Sequence, residues 1–301
     1  MTRRSVALTA VLLASLAGCG GSGAPAPPAP AAAPAAPAGP APTAAGIPGP
    51  DARRAVVWAV GDAATPGPDA DRIGALVAGA RPDLFLYLCD VYESGTRAEF
   101  RRWYHPRFGR LAGITMPTPG NHEFDNRFSG YYPYWARQKG HGQPPWSKRT
   151  IAGWQILDLN SEAPHGPGSP QVRWLDRTLA NARGDCRIAF WHRPRLTHGG
   201  YEAAPDLNPL WNRLAGHARI VLSGHDHNLQ RHRPVRGLIQ YVVGAGGRGR
   251  YHLREGDSTM AWARDDVNAA LRIVLKPGSA VLEFRTPRHR VVDRSRVSCS
   301  Q

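Results

Sequence analysis

Short runs of β-branched and other apolar residues alternate along this chain with segments whose apolar positions recur at helical spacing. Ala55 to Val60 and Leu84 to Leu88 read as buried strands. Between them Asp69 can cap a helix carrying Ile73, Leu76, Val77 and Ala80, and Arg81-Pro82 stops it. Ala98 to Tyr104 reads as helical, and Ile114 to Pro117 as a short extended segment. The stretch from Phe124 to Thr150 is aromatic and rich in Gly and Pro, which predicts a long ordered loop. Ile151 to Leu159 reads as a strand; Ser169-Pro170 starts a helix with Val172, Leu175 and Leu179 on one face. Strands come next at Arg187–Trp191 and Arg219–Leu222, with a helix at Leu207–Leu214 between them. After Leu238 the helical period stops. Leu238–Val243, Leu271–Leu275 and Val281–Arg285 read as sheet, with Lys276-Pro277-Gly278-Ser279 as a hairpin connection. The predicted class is α/β: strand–helix alternation and then an all-β tail, in one domain without internal repeats.

The first fifty residues have a different character. Arg3-Arg4 precede an apolar stretch, Val6 to Leu16, that is too short to span a bilayer and is flanked like a secretory signal. It ends in Leu16-Ala17-Gly18-Cys19, which resembles a bacterial lipobox; a plain signal peptide is the simpler alternative. From Gly20 to about Pro50 the chain is nearly all Ala, Pro and Gly, a composition that predicts an extended tether. The expected organisation is a signal at residues 1–19, a tether at 20–52 and a folded domain at 53–301. That organisation implies an exported protein held at a membrane surface, on the extracytoplasmic face, by an N-terminal lipid.

A formal net charge of +15 permits an anionic substrate without establishing one. No Lys/Arg run is long enough to read as a nucleic-acid arm, so no specific nucleic acid is expected, and no obligate protein partner either. Beyond Cys19 three cysteines remain. In an exported protein Cys186 and Cys299 can pair, tying the last strand's tail to the body. Cys89 lies inside a strand-like run and reads as a small buried hydrophobe.

The residues just past each buried strand are more specific. These exits carry Gly61-Asp62, Asp90-Val91-Tyr92, Asn121-His122, His192, and Ser223-Gly224-His225-Asp226-His227. Open α/β sheets keep their ligands beyond the C-terminal ends of strands. Taken singly, an Asp after a strand is usually a turn residue and a His beside a Trp is usually packing. Five such exits converging on one sheet edge are harder to explain by surface polarity. Carboxylates, an amide oxygen and several imidazoles, without a thiolate, suit Zn, Mn or Fe. Asp62, Asp90, Asn121, His192, His225 and His227 are too many for one open catalytic ion and suit two, the usual apparatus for displacement at phosphorus.

In order, Gly61-Asp62, the segment Asp90 to Tyr92, Gly120-Asn121-His122-Glu123, Trp191-His192 and Gly224-His225-Asp226-His227 resemble the motifs of the calcineurin-like metallophosphoesterases. The branch that includes purple acid phosphatases is nearest. The resemblance runs from about Val56 to Gly247 and implies a four-layer αββα sandwich with a dinuclear site at the strand ends. By position, one ion would take Asp62, Asp90 and His227. The other would take Asp90, Asn121, His192 and His225, with Asp90 bridging. His122 would protonate the leaving oxygen or hold the phosphoryl group, with Glu123 orienting it.

Two departures from the family pattern stand out. Much of the family carries a metal-binding His where this chain has Ala64, which leaves Tyr92, Glu93 or water to complete the first site. Cys89 replaces a usual Gly; if Asp90 points into the site, Cys89 points away. His198 and Arg193 are further candidates for substrate contacts, and Arg248 is an anion-binding candidate. Tyr131, Tyr132, Tyr134 and Trp135 could wall a cleft or pack a core. The expected function is a dinuclear phosphoric ester hydrolase in which a metal-held hydroxide attacks phosphorus and His122 assists the leaving group. A metal- or phosphate-binding surface lipoprotein on the same fold is the alternative.

Overall fold

The computed structural model describes residues 47–180, 184–255 and 258–300. All of them lie within one compact unit, residues 38–301. The expected signal, the lipobox at Cys19 and the tether up to residue 46 fall outside the described residues. The expected boundary at Arg53 moves back. Ile47 and Ala52 pack against the core, and the carbonyls of Gly49 and Pro50 accept hydrogen bonds from Ala152 and Gly153 at 3.1 and 2.7 Å.

Two sheets carry the fold. The first has the order β13-β12-β11-β1-β2-β3, with β1 (Ala55–Val60), β2 (Leu84–Tyr87) and β3 (Thr115–Pro117) parallel. The hairpin β11 (Ala270–Lys276) and β12 (Ser279–Arg285), continued by β13 (Val291–Ser298), extends it antiparallel from β1. The second sheet has the order β10-β8-β9-β7-β6-β5-β4. There β5 (Trp154–Asp158), β6 (Arg187–Phe190), β7 (Ile220–Ser223) and β9 (Ile239–Val243) run parallel. Antiparallel to their neighbours are β4 (Ser147–Ile151), β8 (Leu229–His232) and β10 (Met260–Arg264).

The parallel strands are predominantly apolar and largely buried because both of their faces are covered. Val57, Leu86 and Leu88 of the first sheet meet Ile188, Phe190 and Leu222 of the second in the central core. On the outer face of the first sheet, Trp58, Val60, Phe85 and Tyr87 pack under α1 (Pro68–Gly79) and the helical segments that come after β2. Those segments are α2 (Arg97–Glu99), a π-helical stretch Phe100–Tyr104, α3 (His105–Phe108), a 3₁₀ stretch Gly109–Ile114, α4 (Asn121–Asp125) and α5 (Tyr131–Lys139). On the outer face of the second sheet, Leu157, Ala189 and Val221 are covered by α6 (Pro170–Ala180) and α7 (Asn208–Leu214). The result is an αββα sandwich. Among the described residues no helix is long and apolar enough to cross a membrane.

Several expectations change in detail. Asp69 sits in the first turn of α1, where its charge suits the helix N-terminus, and Gly67 takes the cap position. The segment 124–150 contains a helix and a strand in addition to loop. Tyr131, Tyr134 and Trp135 are buried in the outer core of the first sheet, so the aromatic cluster packs a helix down. The run Ile151–Leu159 is the turn and second strand of the β4–β5 hairpin, reversed at Ala152-Gly153. Cys186 and Cys299 are disulfide-bonded with Cα atoms 5.0 Å apart, and Cys89 is a free thiol buried in the helix-side core.

Candidate metal centre

Parallel strands deliver their C-terminal ends to one edge, and the residues just beyond those ends build the site. Asp62 comes after β1, Asp90 after β2, Asn121 opens α4 after β3, His192 comes after β6, and His225 and His227 after β7. Asp62, Asp90 and His225 have φ of 58°, 57° and 68°. The left-handed region is costly for non-glycine residues, and such strain gathers where side chains must be re-aimed into a site.

Two groups of donor atoms result. In the first, His192 Nε2 lies 3.1 Å from Asn121 Oδ1, 3.1 Å from His225 Nδ1 and 3.1 Å from Asp90 Oδ2. In the second, the Tyr92 hydroxyl lies 2.7 Å from Asp62 Oδ1 and 2.7 Å from His227 Nε2. Asp90 Oδ2 belongs to both, since it is also 3.3 Å from the Tyr92 hydroxyl. All six sequence-expected ligands are thereby brought together.

Hydrogen bonds behind the rings fix which nitrogen faces inward. A carbonyl only accepts, so His192 Nδ1 carries the proton it donates to Leu88 O at 2.8 Å. His227 Nδ1 likewise donates to Gly249 O at 2.7 Å. Each ring thereby turns its Nε2 inward, the orientation that metal-binding imidazoles require. The sequence offers no sign of these carbonyl partners. Asp62 Oδ2 accepts from the His225 amide at 2.9 Å, which leaves Oδ1 facing inward.

Electrostatics agree with a cation site. Burial penalises the Asp90 charge, yet the His192 ring beside it holds the carboxyl down at about 2. Burial opposes a charged His192, but the Asp90 carboxylate outweighs that and lifts it to about 10. Burial and the neighbouring His192 push His225 down to about 2. Asn121 Oδ1, Asp90 Oδ2 and His225 Nδ1 all lie 3.1 Å from His192 Nε2, an arrangement that favours a cation among them, whether a proton on that nitrogen or a metal ion that displaces it. The donor set therefore fits a metal ion.

Around the centre the structure assigns the remaining candidates. His122 Nδ1 donates to the Glu93 carbonyl, and its Nε2 lies 3.8 Å from Asp90 Oδ2 with its ring against Tyr92. It is Glu93, not Glu123, that orients His122. Glu123 is fully buried and accepts from the amides of Val91 and Gly120 at 2.8 Å, clasping the two strand exits together. Burial, then repulsion from Asp90, raises its carboxyl to about 7. The Glu93 carboxylate pairs with Arg248, whose guanidinium lies 4.6 Å from the centroid of the Tyr92 ring. Arg193 is engaged by Glu162 and Asp206, at 3.2 and 2.7 Å. The His198 ring stacks on His232 and reaches the Thr259 hydroxyl at 3.5 Å. Asp226 turns away to hold Thr197 and the Gly200 amide. The aromatic walls come from two residues that strand-exit reasoning missed, Tyr201 stacked on His225 at 3.9 Å and Tyr251 on His227 at 4.3 Å.

The calcineurin-like phosphoesterase family model matches residues 55–229, which hold all six of the candidate ligands. The chain belongs to the calcineurin-like phosphoesterase family. The family is that of metallophosphoesterases, and it implies divalent metal ions.

Two uncharacterized proteins of Mycobacterium tuberculosis, from strains CDC 1551 and H37Rv, are each 25% identical over 181 residues. The alignment covers 50% of this chain and only 32% of each relative, so the chain spans about a third of their length. Among solved structures, a purple acid phosphatase from yellow lupin seeds has a TM-score of 0.68 at 17% identity, covering 83% of this chain and 55% of its own. GAP50 of Plasmodium, described as the anchor in the inner membrane complex, has a TM-score of 0.65 at 11% identity, with coverages of 82% and 90%. A dimetal phosphatase from Danio rerio has a TM-score of 0.55 at 11% identity, with coverages of 81% and 98%. These proteins share the sandwich.

Proposed function

We propose that this chain hydrolyses a phosphoric ester at a pair of ions, one taken by Asp62, Asp90 and His227 and the other by Asp90, Asn121, His192 and His225. The observation that carries the reading is Asp90 Oδ2, 3.1 Å from His192 Nε2 and 3.3 Å from the Tyr92 hydroxyl. One oxygen facing both donor groups is what a shared ligand requires. Bound there, two ions lower the pKa of a water and offset charge on the attacking and leaving oxygens. Iron, manganese or zinc suits these donors. Tyr92 would complete the ligands of the first ion where Ala64 stands in place of the family's histidine, since its hydroxyl sits among Asp62, Asp90 and His227.

His122 serves the leaving group. Its Nδ1 donates to the Glu93 carbonyl, so Nε2 of the doubly protonated ring is the atom from which a proton reaches the departing oxygen, leaving the neutral Nδ1–H imidazole. The side chain is 23% exposed and so open to an arriving ester. Tyr201 and Tyr251 hold the His225 and His227 rings in place and keep water off their faces. The Cys186–Cys299 disulfide supports an oxidising compartment. Together with Arg3-Arg4, the apolar run and Leu16–Cys19, it supports export and lipid attachment at Cys19, with the Ala/Pro/Gly stretch as tether.

Protein purified without chelator is expected to hydrolyse mono- or bis-aryl phosphates. His122→Asn should lower kcat by about 10²- to 10⁴-fold while keeping its metal. Full metal loading without turnover of either ester would contradict the reading and favour a binding protein on this scaffold.

A further inference from the structure

On the far side of the first sheet from the central core lies a cavity of about 650 Å³ between α1 and the C-terminal strands. Its lining includes Trp58, Arg72, Arg272, Arg285, Arg288 and His289. The strand register builds one wall: Trp58 of β1 is opposite Arg272 of β11, Arg272 is opposite Glu283 of β12, and Glu283 is opposite Arg294 of β13. Arg272 and Arg285 share one oxygen of Glu283, at 3.1 and 2.7 Å, and Arg72 pairs with Asp69 at 2.8 Å. Arg288 is exposed and has no ion pair among the described residues. Four guanidinium groups are thus set against two carboxylates. Trp58 is only 3% exposed, and its indole Nε1–H has no hydrogen-bond partner among the described residues. The Trp58 ring is part of the cavity lining, where its resonance can report on what binds.

We infer that this cavity is a second anion site, separate from the metal centre, that takes a phosphate group. The planar forks of Arg72, Arg272, Arg285 and Arg288 supply directed donors, the chemistry by which phosphate oxygens are held. Two sources offer that group: free orthophosphate, the product of ester hydrolysis, and the phosphate of an anionic lipid headgroup. The first would couple product concentration to the protein. The second would lay this face against a bilayer.

The test monitors the Trp58 indole N–H resonance in the full chain, assigned by its loss in Trp58→Phe. Titration with orthophosphate should shift it saturably, and the double substitution Arg72→Gln/Arg288→Gln should weaken that binding about tenfold. If orthophosphate leaves the resonance unmoved while anionic vesicles shift it and phosphatidylcholine vesicles do not, the headgroup is the source and the site stands. No shift with any of the three overturns the proposal. A shift of unchanged midpoint in the double variant also overturns it. Phosphate bound at the metal centre reports on other resonances and persists in Trp58→Phe, so failure of the hydrolase reading and failure of this site are separable.

Discussion

Gly120→Ala puts the geometry of the centre to a severe test with one methyl group. Gly120 precedes Asn121 at φ −109°, a conformation that alanine adopts freely, so the substitution brings no backbone strain. A Cβ at this position would lie 1.9 Å from Asp90 Oδ1 and 3.0 Å from His192 Cδ2. The first of these is about 1.5 Å inside ordinary contact. Asp90 is 1% exposed and held in the left-handed region, so its carboxylate has little room to retreat. A misplacement of roughly 1 Å at a reacting centre costs on the order of 10²-fold in rate, or about 2.7 kcal/mol of barrier. The variant should fold, with an overpacking cost of about 1–3 kcal/mol. Its kcat/KM on an aryl phosphate should fall at least about a hundredfold, with metal content reduced. Thermal unfolding, elemental analysis and steady-state kinetics on one preparation separate these effects. Wild-type activity with wild-type metal content would refute the placement of Asp90 at the heart of the site.

Three other consequences are open to measurement. If Tyr92 ligates ferric iron, the active enzyme carries a visible phenolate charge-transfer band that Tyr92→Phe removes; a colourless active enzyme excludes ferric iron at that position. Cys89→Ser should leave metal content unchanged, because the thiol faces the helix-side core, and should cost about 1–3 kcal/mol of stability for a buried hydroxyl. Loss of metal in that variant would contradict the assignment. Reducing the Cys186–Cys299 bridge, which closes a sequence separation of 113, should cost roughly 2–5 kcal/mol of unfolding free energy. Activity of the folded fraction should not change, since Cys186 lies at the opposite end of β6 from His192; a fall in kcat would show coupling along that strand.

How far the chain can be read from sequence depends on which periodicities survive locally. Strands buried on both faces, such as Leu84–Tyr87 and Ile220–Ser223, announce themselves as apolar runs, and their exits point to the metal ligands. Helix α5 is hidden because Tyr131, Tyr134 and Trp135 sit among glycines and prolines, and the aromatic cluster satisfies the core of a helix as well as it would the wall of a cleft. The strands β8, β10 and β13 carry no long apolar run to announce them, and in β13 Asp293 turns inward to pair with Arg231 at 2.8 Å, which masks its pattern. Residues that act through the backbone leave no mark. The Leu88, Glu93 and Gly249 carbonyls that set three histidine rings could be contributed by any residue type. Adjacency suggests that Glu123 serves His122, whereas the buried carboxylate instead serves the amides of neighbouring turns.

Two donor groups sharing Asp90 are the core of the proposed chemistry, and metal stoichiometry addresses that sharing most directly. Elemental analysis of protein purified without chelator should find two ions per chain, one in Asn121→Ala and essentially none in Asp90→Ala. A single ion in the unsubstituted protein, or an Asp90→Ala variant that keeps both, would contradict it.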